Sequence, residues 1–413
     1  MIGQLKYAIF KNMDVIDELL ERGVDKIYPS KEALEKVLKS GKKLRLYQGF
    51  DPTGIQLHIG HMVGLQKLRQ FQDLGHHVIF LIGDGTGQAG DPSGKKRGRG
   101  KYLSRKELRE NAKDYVMQAS KIVRFEGKNP AEILYNGDWL EKLSYSDILD
   151  LAGHFTLQQL EERDIFEERK KANIEINFRE FIYPLLQGYD SVAMNIDLEI
   201  GGTDQTFNML CGRKLVKDYL HKEKFVMTTP LLTDATGKKI GKTEGNVIAL
   251  NSKPNDLFGM IMSLPDEVII KCFEYITNLP LEEIANYQKA LEKGENPMIF
   301  KKKLAFTLVK MLNDEKQARD AEFFFEAAFQ KKQLPQNIPT IKIVKSEISN
   351  LIDLLVKTNL VVSRSEAKRL IFANAVEING KIYNTIDKLP NDLEKEITIR
   401  IGKHRFAKIK ILL

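Results

Sequence analysis

Two short segments of the chain carry residue types that suit phosphate chemistry, and the first is HIGH at 58–61. His58 and His61 are three residues apart, so both lie on one face of the helix turn that is predicted to begin there. A helix N-terminus attracts phosphate because its N–H groups are unpaired and its dipole end is positive. Gly60 leaves room for a flat base against the backbone. Capping or packing histidines, or a metal site, are the alternatives, although no third metal ligand is suggested nearby.

The second segment, TGKKIGKTEGN at 236–246, is rich in glycine, lysine and threonine. Lys239 and Lys242 are three residues apart with a glycine between them, which suits a mobile loop. Such a loop could close over a triphosphate and neutralise the charge that grows on a departing pyrophosphate. Alone, it is also typical of a solvated surface loop. Together with GFDPT (49–53) and HIGH after a strand, it indicates nucleotide binding.

The elements that must position these segments follow a β-α-β pattern. A strand is predicted at 44–50, a helix at 59–75, and a nearly continuous apolar strand at 77–83, as in a parallel sheet buried on both faces. Further helices are predicted at 104–124 (with a Ser104/Glu107 capping box), within 138–169, at 178–194 and at 203–219, and a strand at 197–201. The sequence therefore predicts an α/β fold with a Rossmann-like parallel-sheet catalytic domain.

The rest of the chain predicts two further parts. Several amphipathic helices and little strand signal follow about residue 229, and KKQLPQNIPT (331–340) reads as a linker. Two short helices are then predicted at 346–357 and 363–373, followed by a hairpin whose turn is Asn379-Gly380 and a β-rich end at 397–411. The expected domains are a catalytic domain with a helical insertion at 1–228, the catalytic loop and an α-helical domain at 229–330, a linker at 331–345, and a small α+β domain at 346–413.

Charge and cysteine content narrow the function classes. Residues 331–413 hold 16 Lys and Arg but 8 Asp and Glu, whereas the first 330 residues hold 48 of each sign. A basic terminal module favours a polyanion partner, and a feature that only aids solubility is the alternative. The two cysteines lack metal-ligand spacing and cannot form a disulfide framework, so a reducing cytoplasm is expected. No apolar run approaches the ~18–20 residues of a membrane span, and 1–23 reads as an amphipathic helix and not as a signal peptide.

Several motifs resemble those of class I aminoacyl-tRNA synthetases, and more closely the bacterial tyrosyl-tRNA synthetase family. HIGH is intact, and the second class signature, KMSKS, stands here as KIGKT (239–243) without its Met and Ser. The matching blocks, all in family order, are YQGFDPTGIQLHIGH (47–61), GDPSGK (90–95), YNGDWL (135–140), YPLLQGYD (183–190), IGGTDQ (200–205) and GKTEGN (241–246). SRSEAKRLIFANAVEINGK (363–381) is similar to the S4 RNA-binding module. Glu199 stands where many relatives carry glutamine.

The resemblance implies a tyrosine pocket. Its hydroxyl end would be formed by Tyr47 and Asp190, its ammonium-binding set by Asp91, Tyr183 and Gln187, and its carboxylate end by Gln205. Phenylalanine would leave the polar groups of the hydroxyl end unpaired. Spacing supports part of this, because Tyr183, Gln187 and Asp190 fall at i, i+4 and i+7 on one helix stripe. Periodicity alone would equally fit a solvent-facing stripe.

The resemblance also implies a set of ATP-binding and catalytic residues. Thr53 and His58 would contact the γ-phosphate, and Lys239, Lys242 and Thr243 would hold the departing pyrophosphate. The ribose and adenosine would be bound by Gly49, Asp51, Gly60, His61, Gly202 and Asp204. Lys95 and Arg99 would assist from the basic segment 95–101, which could equally be a solvated loop that contacts tRNA. Mg²⁺ is expected to accompany ATP, and no metal site built by the protein is expected.

The implied function is tyrosine–tRNA ligation in protein biosynthesis: tyrosine and ATP give tyrosyl-adenylate and pyrophosphate, and tyrosine is then transferred to the 3′ end of tRNA(Tyr). Arg364, Lys368 and Arg369 would bind tRNA phosphates, and the family implies a homodimer, with no membrane or DNA partner. The competing hypotheses are another nucleotidyl transferase with an HxGH motif, a tryptophan-specific relative, and a non-enzymatic RNA-binding protein on the same scaffold.

Overall fold

The structure is a computed structural model. It describes residues 14–54, 56–90, 102–161, 164–234, 236–237, 239–240, 242–243, 246–327, 340–344, 348, 350–358, 360–361, 363–385, 396–402 and 405–412. The chain divides into two compact units, one of residues 1–251 and 265–300 and the other of residues 252–264 and 301–413.

The core of the first unit is a six-stranded sheet. Its strands are β1 (Lys26–Tyr28), β2 (Arg45–Phe50), β3 (His77–Ile82), β4 (Glu132–Tyr135), β5 (Leu198–Gly202) and β6 (Phe225–Thr229). They lie in the order β1-β6-β5-β2-β3-β4, and all neighbours are parallel except β1 and β6. The expected Rossmann-like parallel sheet is confirmed, including the predicted strands at 44–50, 77–83 and 197–201.

Strand order reverses between β2 and β5. From β2 the chain proceeds outward to β3 and β4, and from β5 it proceeds the other way to β6. Tyr47 of β2 therefore pairs with Ile79 of β3 on one side and with Glu199 of β5 on the other. In open α/β sheets, ligands bind beyond the carboxyl ends of the strands at such a reversal. In this sheet the reversal lies just beyond Phe50, at the end of β2, and Gly202, at the end of β5.

Helices connect and cover these strands because their apolar faces pack on the sheet. The helices of the first unit before residue 251 are α1 (Val15–Glu21), α2 (Lys31–Lys39), α3 (Met62–Asp73), α4 (Thr86–Ala89), α5 (Arg105–Ala119), α6 (Gly137–Leu140), α7 (Tyr145–Gly153), α8 (Leu157–Glu161), α9 (Asp164–Lys171), α10 (Arg179–Ala193) and α11 (Thr206–Leu220). The predicted capping box is present: Glu107 N donates to Ser104 Oγ, and Ser104 N donates to Glu107 Oε2. Short 3₁₀ turns precede α3 (Ile59–His61) and α11 (Thr203–Gln205).

The chain then continues through a small hairpin and a helical region. The hairpin is β7 (Lys242–Thr243) with β8 (Asn246–Val247). The helices are α12 (Pro254–Met262), α13 (Ile269–Ile276), α14 (Leu281–Glu292), α15 (Pro297–Leu312) and α16 (Glu315–Phe325). None of the helices within the described ranges combines the length and apolarity that a membrane crossing requires.

The carboxyl-terminal part of the second unit has a five-stranded sheet. Its strands are β9 (Thr340–Val344), β10 (Val376–Ile378), β11 (Lys381–Tyr383), β12 (Glu396–Ile401) and β13 (Arg405–Leu412), in the order β11-β10-β12-β13-β9. Its core is built by aliphatic residues of the sheet and of α17 (Leu351–Lys357) and α18 (Arg364–Phe372), such as Leu354, Ile371 and Ile399. The small α+β domain and its Asn379-Gly380 hairpin are confirmed.

The expected domain boundaries stay predictions. Two segments nevertheless group in the structure differently from what those boundaries imply. Residues 340–344, expected in the linker, form β9, which pairs in parallel with β13. Residues 229–251 and 265–300, expected in a separate helical domain, group with the parallel-sheet unit. Hydrogen bonds between 248–250 and 57–59 account for part of that grouping.

Candidate active site

A cavity of about 640 Å³ lies in the first unit at the carboxyl ends of β2 and β5. It brings together most of the residues proposed from sequence for binding and catalysis. Those that line it are Tyr47, Gly49, Asp51, Thr53, His58, Gly60, His61, Tyr183, Gln187, Asp190, Gly202, Asp204, Gln205 and Lys239. Asp91, Lys95 and Arg99 lie outside the described residues. Lys242 and Thr243 form β7, and their side chains lie outside the described part of the structure.

The HIGH segment forms a reciprocally capped turn at one wall of the cavity. Gly60 N donates to His58 Nδ1 (3.1 Å), and His58 N donates to His61 Nδ1 (3.0 Å). The two rings lie 4.0 Å apart. A neutral imidazole whose Nδ1 accepts a hydrogen bond carries its proton on Nε2. Both rings are therefore fixed in the tautomer that can donate from Nε2 to an anionic oxygen.

Backbone hydrogen bonds join this turn to the chain that follows the lysine-rich loop. Ile59 N donates to Ile248 O (3.0 Å) and Leu250 N donates to Leu57 O (3.0 Å), while His58 pairs with Ala249 as an isolated bridge. Two segments about 190 residues apart in sequence therefore share one wall.

The start of the loop is held in a similar way. Ile240 N donates to Leu232 O (2.8 Å), and Thr233 pairs with Lys239. Lys239 Nζ reaches Asp204 Oδ2 at 2.7 Å, so the first loop lysine is ion-paired with the carboxylate just beyond β5. Lys239 was proposed from sequence as a catalytic residue that holds the departing pyrophosphate and Asp204 as an ATP-binding residue, and the structure brings the two into contact.

Asp51 accepts hydrogen bonds from two helices whose side chains line the cavity. Its Oδ1 accepts from Thr86 Oγ1 (2.7 Å) and its Oδ2 from the Tyr183 hydroxyl (2.9 Å). A Cβ on Gly83 would lie 1.8 Å from Asp51 Oδ1, so only glycine permits this approach. Asp51, proposed to bind the ribose, thus contacts a residue proposed to bind an ammonium group.

Asp190 is a fully buried carboxyl at the other end of the cavity. It accepts from Trp139 Nε1 (2.8 Å) at Oδ1 and from Asn136 Nδ2 (3.0 Å) at Oδ2. Asn136 is fixed in turn, because its Oδ1 accepts from Gly85 N and Thr86 N. Burial raises the pKa of Asp190 well above its ordinary value, against the opposing effect of its two N–H donors.

Tyr47 lies beside this carboxyl with its ring in the protein core. It is buried, and its hydroxyl hydrogen-bonds Ser191 Oγ at 3.1 Å. Burial, followed by the nearby carboxylates of Glu199 and Asp190, raises the pKa of Tyr47 well above 10, so the phenol stays neutral. Tyr47 and Asp190 together give this end of the cavity two polar groups that can bind a hydroxyl.

Gln187 and Gln205, the remaining residues proposed from sequence, are joined through Asn208 by hydrogen bonds between side-chain amides, and these three residues are called the amide row. Gln187 Nε2 donates to Glu199 Oε1 (2.9 Å), and Asn208 Nδ2 donates to both Gln187 Oε1 (3.0 Å) and Gln205 Oε1 (2.9 Å). The predicted stripe of Tyr183, Gln187 and Asp190 on α10 lines the cavity, so its alternative as a solvent-facing stripe is wrong.

Sequence reasoning missed several residues that hold these groups. Asn136 and Trp139 belong to the YNGDWL block, which carried the resemblance but was given no role. Thr86, Ser191 and Asn208 had no signal of their own, because a single polar residue on a helix is more often solvated.

The arrangement suits a ligand with three different parts. The Asp190 end can bind a hydroxyl, the carboxylate and amide groups around Asp51 and Gln187 can accept from an ammonium, and the histidine and lysine wall can donate to phosphate oxygens. The cavity therefore favours a hydroxyl-bearing amino acid beside a nucleotide.

The proposed tRNA-binding residues lie on α18 in the second unit. Arg364, Lys368 and Arg369 are exposed, whereas Ala367 and Ile371 face the core. One face of α18 is therefore basic and open to solvent, as the i, i+4 spacing predicts.

Comparisons with known proteins agree with this architecture. Residues 39–330 match the family of class I tRNA synthetases (W and Y), and residues 330–409 match the Tyrosine--tRNA ligase SYY-like C-terminal domain. The Tyrosine--tRNA ligase of Thermotoga maritima is 41% identical over 394 residues, which are 95% of this chain and 96% of that protein. That of Carboxydothermus hydrogenoformans is 42% identical over 403 residues, 95% of this chain and 97% of that protein.

Solved structures share the fold at lower identity. A C-terminally truncated mitochondrial tyrosyl-tRNA synthetase of Aspergillus nidulans aligns with a TM-score of 0.64 at 23% identity, over 79% of this chain and 99% of that one. The tyrosyl-tRNA synthetase of Archaeoglobus fulgidus, solved complexed with L-tyrosine, aligns with a TM-score of 0.59 at 21% identity, over 75% of this chain and 100% of that one. Taken with the family matches, the near-complete coverage by relatives above 30% identity leads to one conclusion. The chain belongs to the tyrosine–tRNA ligase family of class I aminoacyl-tRNA synthetases.

Proposed function

We propose that this protein activates L-tyrosine with ATP to form tyrosyl-adenylate and pyrophosphate, and then transfers tyrosine to the 3′ end of tRNA(Tyr). The observation that carries the proposal is the cavity in which the HIGH turn, the Lys239–Asp204 pair and the Asp190 end meet. Family membership supports the same reaction. A cytoplasmic location is part of the proposal, since tRNA is a substrate.

In the first step, the tyrosine carboxylate attacks the α-phosphorus of ATP and pyrophosphate leaves. The attacking group comes from the substrate, so the protein contributes positioning and electrostatic stabilisation. Tyr47 and Asp190 bind the phenol, Asp91, Tyr183 and Gln187 bind the ammonium, and Gln205 lies at the carboxylate end. The Tyr183–Asp51 hydrogen bond supports this arrangement, because a hydroxyl that donates to Asp51 Oδ2 keeps its own oxygen able to accept from the ammonium.

The nucleotide occupies the other wall. Gly49, Asp51, Gly60, His61, Gly202 and Asp204 bind the ribose and adenosine, and Thr53 and His58 donate to the γ-phosphate. Lys239, Lys242 and Thr243, with Lys95 and Arg99, neutralise the charge that develops on pyrophosphate. The Nε2 tautomer of His58 supports its assignment to the γ-phosphate, because phosphate oxygens only accept hydrogen bonds.

Mg²⁺ is proposed to arrive bound to ATP. Among the described residues no group of three His, Cys, Asp or Glu side chains is placed to hold a metal ion. Mg²⁺ that accompanies a nucleotide takes its ligands from phosphates and water, with one or two carboxylates. When bound, it would supply positive charge to the triphosphate.

The second step uses the basic face of α18 to hold tRNA. Arg364, Lys368 and Arg369 are proposed to contact phosphates, in keeping with the excess positive charge of residues 331–413. Lys368→Glu/Arg369→Glu is expected to reduce tRNA charging at least about tenfold, since two phosphate contacts are reversed in charge, and to leave adenylate formation unchanged. Lys36→Glu, a change at an exposed lysine of α2, serves as the control. Unchanged charging by the double variant would refute the role.

The protein is also proposed to form a homodimer. Segment 145–178 exposes large apolar side chains, including Tyr145, Leu149, Leu157 and Phe178, which is 72% exposed. Such a concentration is typical of a surface that a partner covers. Phe178→Asp is expected to give monomers in analytical ultracentrifugation, whereas Val15→Asp, at another exposed apolar site, is not. A Phe178→Asp dimer would refute this interface.

The deciding experiment is amino-acid-dependent exchange of labelled pyrophosphate into ATP, with tyrosine, phenylalanine and tryptophan in separate reactions. Exchange with tyrosine alone is the expected result. Exchange with tryptophan would favour the tryptophan-specific branch. No exchange by folded protein with Mg²⁺ present would favour the non-enzymatic RNA-binding function.

A further inference from the structure

Beneath the amide row of the cavity lies an ion pair that the reaction described above does not use. Lys224, the residue before β6, and Glu199 of β5 are both buried, with side chains 0% and 2% exposed, and they are in direct contact. The ammonium also donates to Ser191 Oγ (2.7 Å) and Met209 O (3.3 Å). A buried ion pair is weak support for stability, because desolvation offsets its attraction. Stability alone therefore does not explain why this ion pair lies beside the cavity.

The backbone of α11 approaches this ammonium closely at a glycine. A Cβ on Gly212 of α11 would lie 2.5 Å from Lys224 Nζ and 3.0 Å from Ser191 Oγ. Any larger residue there would displace the lysine or the serine. Gly212 therefore keeps open the volume that the lysine occupies.

Glu199 connects this pair to the amide row. Its Oε2 faces Lys224, and its Oε1 accepts from Gln187 Nε2. A carboxylate can only accept hydrogen bonds, so the Gln187 amide must turn its NH₂ group toward Glu199 and its carbonyl oxygen away. Asn208 then donates to that oxygen and to Gln205 Oε1. Asn208 keeps this orientation although its own Oδ1 has no hydrogen-bond partner in the described part of the chain. The direction of the row is thus imposed from the Glu199 end.

We propose that the Lys224–Glu199 pair is a positioning device that orients the Gln187 amide so that its carbonyl oxygen, and not its NH₂ group, is presented to the ammonium of the amino-acid substrate. This inference rests on the proposed function and extends it to two residues that do not themselves need to touch the substrate ammonium. Lys224 is essential to the device because it can only donate, which reserves one oxygen of its neighbour for itself.

Glu199→Gln tests this because it inverts the row. Lys224 must take the Oε1 of the new amide, which leaves Nε2 facing Gln187 and turns the Gln187 NH₂ group toward the substrate. The dissociation constant for tyrosine is expected to rise about tenfold or more, the effect of losing a hydrogen bond to a charged group. The KM for ATP is expected to stay unchanged. Adding Lys224→Met removes the donor, lets the new amide turn back, and is expected to restore much of the tyrosine affinity.

Two analogues separate positioning from a general loss of structure. Tyrosinol keeps the ammonium and lacks the carboxylate, whereas 3-(4-hydroxyphenyl)propionate keeps the carboxylate and lacks the ammonium. Trp139 is the single tryptophan of the chain and contacts Asp190, so its fluorescence reports binding of both. In Glu199→Gln, tyrosinol is expected to weaken about tenfold and the propionate to bind as in the wild type.

Lys67→Met is the matched control, since it also removes a buried lysine of the first unit, one whose Nζ donates to Leu19 O. It is expected to leave every ligand affinity unchanged. Equal weakening of both analogues by Glu199→Gln, unchanged tyrosine affinity, or no recovery in the double variant would each overturn the proposal. Absence of tyrosine-dependent exchange in the wild type would instead count against the proposed function.

Discussion

Asp190→Asn is the substitution for which the structure predicts the clearest functional consequence. The carboxyl accepts two hydrogen bonds, from Asn136 Nδ2 and Trp139 Nε1. Neither donor can adapt, because indole has no acceptor and the Asn136 amide is fixed by Gly85 N and Thr86 N at its oxygen. The introduced asparagine must therefore turn its own NH₂ group toward one of them.

The magnitude follows from that conflict. One buried donor loses its partner, which costs about 1–3 kcal/mol. The phenol of tyrosine then faces either a neutral amide oxygen or the new NH₂ group, in place of a carboxylate oxygen. Loss of one strong hydrogen bond to the phenol corresponds to about a tenfold to hundredfold fall in selectivity for tyrosine over phenylalanine.

The assay is pyrophosphate exchange with each amino acid, from which the ratio of kcat/KM values is taken. Asp197→Asn is the matched control: the Asp197 carboxylate also accepts an N–H hydrogen bond, in its case from the backbone of Arg45, but it lies at the amino end of β5, away from the cavity. An unchanged ratio in folded Asp190→Asn protein, or an equal fall in the control, would refute the reasoning.

Two further predictions concern lysines. Lys242→Ala is expected to slow single-turnover adenylate formation about tenfold or more with little change in tyrosine affinity, since a contact to pyrophosphate strengthens only as charge develops; an unchanged rate would contradict this. Burial, with a smaller effect of Arg22, lowers the pKa of Lys67 from 10.5 to about 7. Between these values the unfolded chain binds a proton that the folded chain does not, so stability rises with pH across this window. The melting temperature of the wild type relative to Lys67→Met should therefore increase with pH, and a flat difference would be inconsistent with a depressed pKa.

Elements with a strong local pattern could be predicted from sequence. The apolar run HVIFLI predicted β3, because a strand that is buried on both faces carries apolar residues at consecutive positions. The short strands β1, β4 and β6 were not predicted. KIY, EILY and FVMTT are too short to show a period, and the sheet stabilises them only by pairing with distant residues such as Thr228 with Lys26. β9 was placed in the linker for the same reason, since TIKIV pairs with residues 408–412.

The candidate site divides in a similar way. Motif residues such as His58, Lys239 and Asp190 could be assigned from the resemblance, and the structure brings them to one cavity. Their hydrogen-bond partners could not be assigned, because contacts such as Ser191 with Tyr47 join residues more than a hundred positions apart. Lys224 has no sequence signal that sets it apart from a surface charge, and Glu199 stood out only because many relatives carry glutamine there. Only the fold shows that the two form a buried pair.

The backbone bridge between the HIGH turn and residues 248–250 has a consequence for synthesis of the protein. Residues 57–59 are among the first of the site to leave the ribosome, yet their partners Ile248, Ala249 and Leu250 follow about 190 residues later. Bringing together two segments so far apart in sequence has an entropic cost that the local structure of either segment cannot offset. A nascent chain that ends before residue 250 therefore lacks this wall, so the pocket proposed for ATP is complete only after the lysine-rich loop and the segment that follows it have been made.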